Sequence, residues 1–379
     1  MRLFGLLALL LTGCSLARTD VPVTAPITWD RPTTGPSGPR GGLQLPDGTI
    51  LGVRHVTRDG ERLFVATRSH DAGRTWAEHG TIARDTTDTD LGDGHLLLLP
   101  DGRLWCSLRR NRIARTYAIE IAESLDSGAT WRKHSVVATS IDVRPRSRMA
   151  HSIGLWASFL FQRSDGAIQC YYDDERTPFE HGRDGHQWVT MKTWDAEQGA
   201  WVWPIIVSRA SGNELSRDGM PSVVELHGGR LLATVESVQT RGPHANLIRS
   251  VVSDDGGATW SWAERQTVYQ PRDDFMALAP WTIRTHSGLL ICVFCTDEDR
   301  EQPDVSGTPP RQLNMDVKYV VSRDHGKTWS PPKTVYDEQH RNYLPGIIEL
   351  AGEGGLLLQW RNFAADGYMA RRGRLIESK

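Results

Sequence analysis

Ser69-His70-Asp71-Ala72-Gly73-Arg74-Thr75-Trp76 is one of four complete copies of a phrase, Ser-X-Asp-X-Gly-X-Thr-Trp, that recurs along this chain of 379 residues. The others run from Ser124 to Trp131, Ser253 to Trp260 and Ser322 to Trp329, and a worn copy surrounds Thr193, Asp195, Gly199 and Trp201. A phrase repeated at intervals marks a supersecondary unit that needs neighbours to bury its faces. Each residue type has a mechanical reason. The aspartate accepts amides of its own turn, the glycine two residues on admits positive φ, and Thr-Trp re-enters a strand with a ring to bury. A carboxylate spent on its own turn is not a catalyst. Asp71, Asp126, Asp255 and Asp324 are therefore read as hairpin residues.

A second punctuation gives the count. Apolar stretches broken by a turn glycine occur at Gly48, Gly102, Gly166, Gly229, Gly288 and Gly355, the first two within Leu-Pro-Asp-Gly. Each reads as two strands joined by a tight turn. Six units of about 60 residues, each of three or four strands, predict an all-β, six-bladed β-propeller. The last unit begins near Asn342 and reaches Lys379 without a fourth strand. Ile27 to Trp29 is expected to supply that strand and close the ring.

Repeat folds grow by adding blades, so residues 40–379 read as one propeller domain. A net charge of −2 and a pI near 6.7 provide no basic field for nucleic acid. Arg2 precedes an apolar run from Leu3 to Leu11, too short to cross a bilayer, and Leu11-Thr12-Gly13-Cys14 follows. Residues 1–14 resemble a bacterial lipoprotein signal in which Cys14 carries the lipid; the alternative is an ordinary cleaved leader. Residues 15–39, rich in Pro, Thr and Gly, then form a tether and the closing strand. The expectation is an exported monomer anchored to the cell envelope through that lipid alone. Cys106, Cys170 and Cys292 each lie four residues past a turn glycine. Such equivalent sites suit small core side chains, although a Cys106–Cys170 bridge is open. No metal spacing is present, and neither metal nor cofactor is expected.

Chemistry belongs where the units stop being alike. Seven residues past each turn glycine stand His55, Arg109, Asp173, Glu236, Cys295 and Asn362, a ring of unlike residues ending the second strands. Tyr171-Tyr172-Asp173-Asp174-Glu175 ends one of these strands and Leu232-Ala233-Thr234-Val235-Glu236 the next. Neighbouring blades would bring Glu175 and Glu236 to one pocket, and two carboxylates on one pocket are the minimal apparatus of glycoside hydrolysis. Either glutamate would otherwise hold a nearby arginine. Arg40, Asp93, His151, Asp218 and Tyr343, at blade entries, are expected to face the same mouth and bind substrate with Arg109. Trp360 or Trp188 is a candidate stacking face for a sugar.

The aspartate phrases and six units resemble the sialidase superfamily of Asp-box, or BNR, propellers over nearly the whole chain beyond the leader. More narrowly, Tyr171 to Glu175, Arg217-Asp218-Gly219-Met220-Pro221 and Leu231 to Glu236, in that order, resemble glycoside hydrolase family 93. That resemblance implies a retaining exo-α-1,5-L-arabinanase that releases arabinobiose, with Glu175 as nucleophile and Glu236 as acid/base, or the two roles exchanged. The superfamily's sialidases are the rival. Pro39-Arg40-Gly41 stands where they usually show Arg-Ile-Pro, Tyr343 would be their tyrosine, and Arg217, Arg284 and Arg361 are the arginines available for their clamp. A non-catalytic binding propeller is the third reading.

Overall fold

The computed structural model describes residues 27–35, 40–142, 153–212, 215–238, 246–272, 274–303, 315–338, 341–352, 355–364 and 367–376. They form six antiparallel sheets. Blade 1 comprises Leu43–Gln44, Ile50–Arg58, Glu61–Ser69 and Ala77–Thr86; blade 2 comprises Asp90–Leu98, Leu104–Asn111, Thr116–Ser124 and Arg132–Ile141. Blade 3 comprises Leu155–Gln162, Ile168–Asp174, Trp188–Asp195 and Ala200–Ser208, and blade 4 Arg217–Glu225, Leu231–Val238, Asn246–Ser253 and Gln266–Tyr269. Blade 5 comprises Ala277–Arg284, Leu290–Thr296, Asp316–Ser322 and Lys333–Tyr336. Central strands such as Leu290–Thr296 are buried at every position, as they must be when both faces pack on neighbouring blades.

Blade 6 draws on both ends of the chain. Asn342–Leu350, Gly355–Asn362 and Gly367–Leu375 are completed by Ile27–Trp29, in antiparallel register from Ile27 opposite Leu375 to Trp29 opposite Gly373. Thr33–Gly35 extends the pairing along the same strand. The expected closing strand is thus in place.

The repeated phrase adopts one geometry four times. In the first copy, Ser69 Oγ donates to Asp71 Oδ1 at 2.8 Å, and the Gly73 amide donates to Ser69 Oγ at 2.9 Å. Thr75 gives its amide to Oδ1 at 2.8 Å and its hydroxyl to Oδ2 at 2.6 Å. The copies at Asp126, Asp255 and Asp324 repeat these bonds within about 0.1 Å. These turns also join blades. A Cβ added to Gly73 in blade 1 would stand 2.8 Å from Leu357 in blade 6, and one added to Gly326 in blade 5 would stand 2.3 Å from Leu232 in blade 4.

The four described cysteines are free and buried. The bridge left open between Cys106 and Cys170 is therefore absent, and both thiols are core side chains. Trp360 and Trp188 are 0% and 3% exposed, so both pack rather than offer a face to sugar.

Candidate active site

Antiparallel pairing sends the turn glycines and aspartate phrases to one end of the propeller. The starts of first strands and the ends of second strands go to the other. At that second end, the first strands of blades 2 to 6 all slip register: between Gly92 and His95, Leu155 and Ser158, Gly219 and Ser222, Leu278 and Trp281, and Tyr343 and Gly346. Four of these bulges hold a non-glycine residue at positive φ: Asp93 at 47°, Met220 at 52°, Ala279 at 54° and Leu344 at 53°. Each such residue costs on the order of 1–3 kcal/mol, and backbone strain of this kind concentrates at functional sites. Proline follows three of them, at Pro221, Pro280 and Pro345, removing an amide the bulge would leave unpaired.

The bulges aim amides at carboxylates of the preceding blade. The Met220 amide donates to Asp173 Oδ1 at 2.9 Å, and the Ala279 amide donates to Glu236 Oε2 at 2.8 Å. Asp173 and Glu236 occupy the same place in blades 3 and 4, each seven residues past its turn glycine. Arg40, at the entry to blade 1, lies beside both. Its guanidinium sits 4.8 Å from the Trp281 ring centroid and donates to the Pro280 carbonyl at 2.5 Å.

Burial dominates the electrostatics here. It raises the Glu236 carboxyl above the ordinary glutamate range, with the Ala279 amide, Arg40 and Arg217 opposing it. Asp173 is pushed well above the usual aspartate range by burial and then by the charge of Glu236. Tyr343 is likewise raised well above an ordinary phenol by burial and by Glu236. Of the residues expected at the mouth, Arg40, Glu236 and Tyr343 are thus brought together, and Asp173 joins them.

Glu175 lies to the side and is 3% exposed. Its Oε1 accepts from Arg217 at 2.5 Å and its Oε2 from the Gly154 amide at 2.7 Å. Arg217 is held in turn by the Gly185 carbonyl and Gln187 Oε1, each at 3.0 Å. The same guanidinium acts on Glu236 and Asp173 through space, so it links the two glutamates electrostatically.

Asp93 and Arg109 form an ion pair with each other, and Arg109 also binds Asp90 at 2.8 Å. Both line a cavity of about 280 Å³ over blades 1, 2 and 6, together with Arg40, His55, Tyr343 and Arg361. The cavity's aromatic faces include Phe363 and Tyr368, whose ring centroids lie 5.4 and 5.0 Å from the Arg361 guanidinium. Arg361 therefore shares a cavity with Arg40, whereas Arg284 lines a separate cavity near Trp281.

Asp218 corrects the expectation for its residue. It is 0% exposed and binds Arg265 through both oxygens, at 2.8 and 2.7 Å, with Ser208, Ser216 and Ser237 completing the network. Strand alternation turns it away from the cavity and into the packing of blades 3 and 4. His151 and Cys14 lie outside the described residues. Asp173 is the site member that sequence reasoning named in the ring and then passed over for Glu175; the positions of Glu236 and Asp173 relative to their turn glycines were the signal.

A model of the BNR/Asp-box repeat matches residues 320–331. No curated protein sequence matches the chain. Among solved structures, the chain is similar to the α-L-arabinofuranosidase of Fusarium graminearum in complex with arabinobiose. That likeness has a TM-score of 0.68 at 17% identity, over 91% of this chain and 98% of the other. It is also similar to the Penicillium chrysogenum α-L-arabinanase complexed with arabinobiose, at TM-score 0.66 and 19% identity over 92% and 98%. A Hadza microbial sialidase matches at TM-score 0.58 and 14% identity, over 90% of this chain and 66% of that one. At these identities the likeness is one of fold.

Proposed function

We propose that the chain is a retaining glycoside hydrolase that works from the end of α-1,5-linked L-arabinan and releases arabinobiose. The observation that carries this reading is Glu236, a carboxyl raised by burial, held by a strained bulge amide, and within electrostatic reach of Arg40 and Tyr343 at the mouth. A carboxyl that stays protonated above the usual glutamate range is what a general acid requires near neutrality. The two solved relatives bound to arabinobiose support the choice of sugar through fold alone.

In the first step Glu175 attacks the anomeric carbon while Glu236 protonates the departing glycosidic oxygen. In the second, water attacks the glycosyl-enzyme with Glu236 as base, and the anomeric configuration is retained. Arg217 supports Glu175 as the nucleophile, since its guanidinium holds one carboxyl oxygen, the Gly154 amide holds the other, and each oxygen keeps a lone pair. Arg40, Asp93, Arg109 and Tyr343 would bind the sugar hydroxyls within the cavity they border. The leader sequence supports export with a lipid on Cys14.

One observation favours a second reading. Arg40 and Arg361 share a cavity with Tyr343, and Tyr343 lies beside Glu236, which suits an exo-sialidase that clamps a sugar carboxylate. Linear α-1,5-arabinan and a sialyl reporter, offered to the purified protein, separate the two. Arabinobiose release is expected; sialic acid release alone would replace this reading with the second, and turnover of neither would leave a binding propeller.

A further inference from the structure

We propose that Asp173 is a positioning residue for the acid Glu236, the two carboxyl groups sharing one proton at the mouth of the channel. The inference rests on the glycosidase reading of that mouth and deepens it.

The geometry begins at Gly219, the register partner of Glu236 across the first two strands of blade 4. Register partners in an antiparallel pair project to one face with Cβ atoms about 5 Å apart. Gly219 has no side chain to fill its half of that space. Asp173 Oδ2, 2.9 Å from where a Cβ on Gly219 would stand, fills it together with the side-chain amide nitrogen of Gln187. The Asp173 carboxyl therefore lies beside Glu236 in the position of a cross-strand neighbour, although it comes from another blade. Its Oδ1 is fixed by the Met220 amide, the counterpart of the Ala279 amide on Glu236. Asp173 is 4% exposed, so water contributes little to separating two negative charges there.

The surrounding charges do not neutralise both acids. Arg217, from blade 4, already contacts Glu175 at 2.5 Å. Arg40, from the entry to blade 1, acts on Asp173, Glu236 and Tyr343 together. Tyr343 from blade 6 and Cys295 from blade 5 are held in their neutral forms by burial, and Asp218 adds a further negative charge behind Glu236. Arg217 acts on the two acids only from its pairing with Glu175, so they have a single cation, Arg40, of their own; such a buried pair retains a proton, and its titration belongs to the pair.

The test is Asp173→Asn, which keeps size and removes one titrating group. In the wild type, the ¹³C carboxyl signal of Glu236 should titrate in two steps; in the variant it should titrate once, below the upper wild-type step. The alkaline limb of kcat/KM against pH on arabinan should move down with it, by about one pH unit or more. A loss of activity with an unmoved limb would mark a structural role and overturn the proposal. So would a single-step wild-type curve, which is decisive even where the variant fails to fold. The spectroscopic titration needs no substrate, so it stands if arabinan proves not to be cleaved.

Discussion

The two ends of this propeller are built on opposite rules. At one end, four aspartate turns repeat the same bonds within about 0.1 Å, and each carboxylate is consumed by its own hairpin. At the other, equivalent positions carry His55, Arg109, Asp173, Glu236, Cys295 and Asn362. Repetition holds the blades together, and divergence creates a cavity with chemistry in it. The electrostatics follow the same division. Hydrogen bonds from Thr75 and Thr130 hold Asp71 and Asp126 below the usual aspartate range, Asp126 at about 2. Burial raises Asp173 and Glu236.

Glu236→Gln probes the divergent end and should have the largest effect. Turnover of arabinan should fall by about 10²–10⁴-fold, the contribution of a positioned general acid, with the thermal midpoint no lower than that of the wild type. Asp218→Ala sharpens the division from the other side, because this residue sits near the mouth in sequence but belongs to the packing. Removing one partner of its buried pair with Arg265 should lower stability by about 3–5 kcal/mol in denaturant unfolding. Gly326→Ala attacks the repeated end, where φ is +84° and Leu232 blocks the added methyl. A loss of about 1–3 kcal/mol is expected, with kcat/KM untouched in the protein that remains folded.

The smallest effect is a difference in sign. Asp126 has a depressed folded value, so its contribution is present above the unfolded range near 4 and is lost as pH falls toward 2. Asp173 has a raised one, so its stabilisation is present at acid pH and is lost as pH rises through its folded value. Thermal midpoints should therefore show Asp126→Asn most damaging near neutrality and progressively less so as pH falls toward 2. Asp173→Asn should become relatively favourable as pH increases. Parallel pH trends for the two variants would erase the distinction between the ends.

Sequence was most legible where the chain repeats itself. The aspartate phrases and turn glycines carried the blade count, and the shortage of a fourth strand after Asn342 pointed to Ile27–Trp29. Equivalence to Glu236 also placed Asp173 at the mouth. What sequence did not reveal was which acids converge. Asp173, Asp174 and Glu175 are consecutive, and the choice among them depends on how a strand end turns, which the Gly154 amide and Arg217 decide from outside that strand. The bulges were equally hidden, although Met220-Pro221, Ala279-Pro280 and Leu344-Pro345 mark three of them in hindsight. Asp218 misled because its neighbour Arg217 does reach the site, and alternation sends the next side chain the other way.

The proposed role of Glu236 as the acid of a glycosidase is tested by following linear α-1,5-arabinan by ¹H NMR with wild-type protein and with Glu236→Gln. Arabinobiose should appear first in the retained anomeric form with the wild type, at a rate about 10²-fold or more above that of a folded variant. Equal rates for the two proteins would contradict that role.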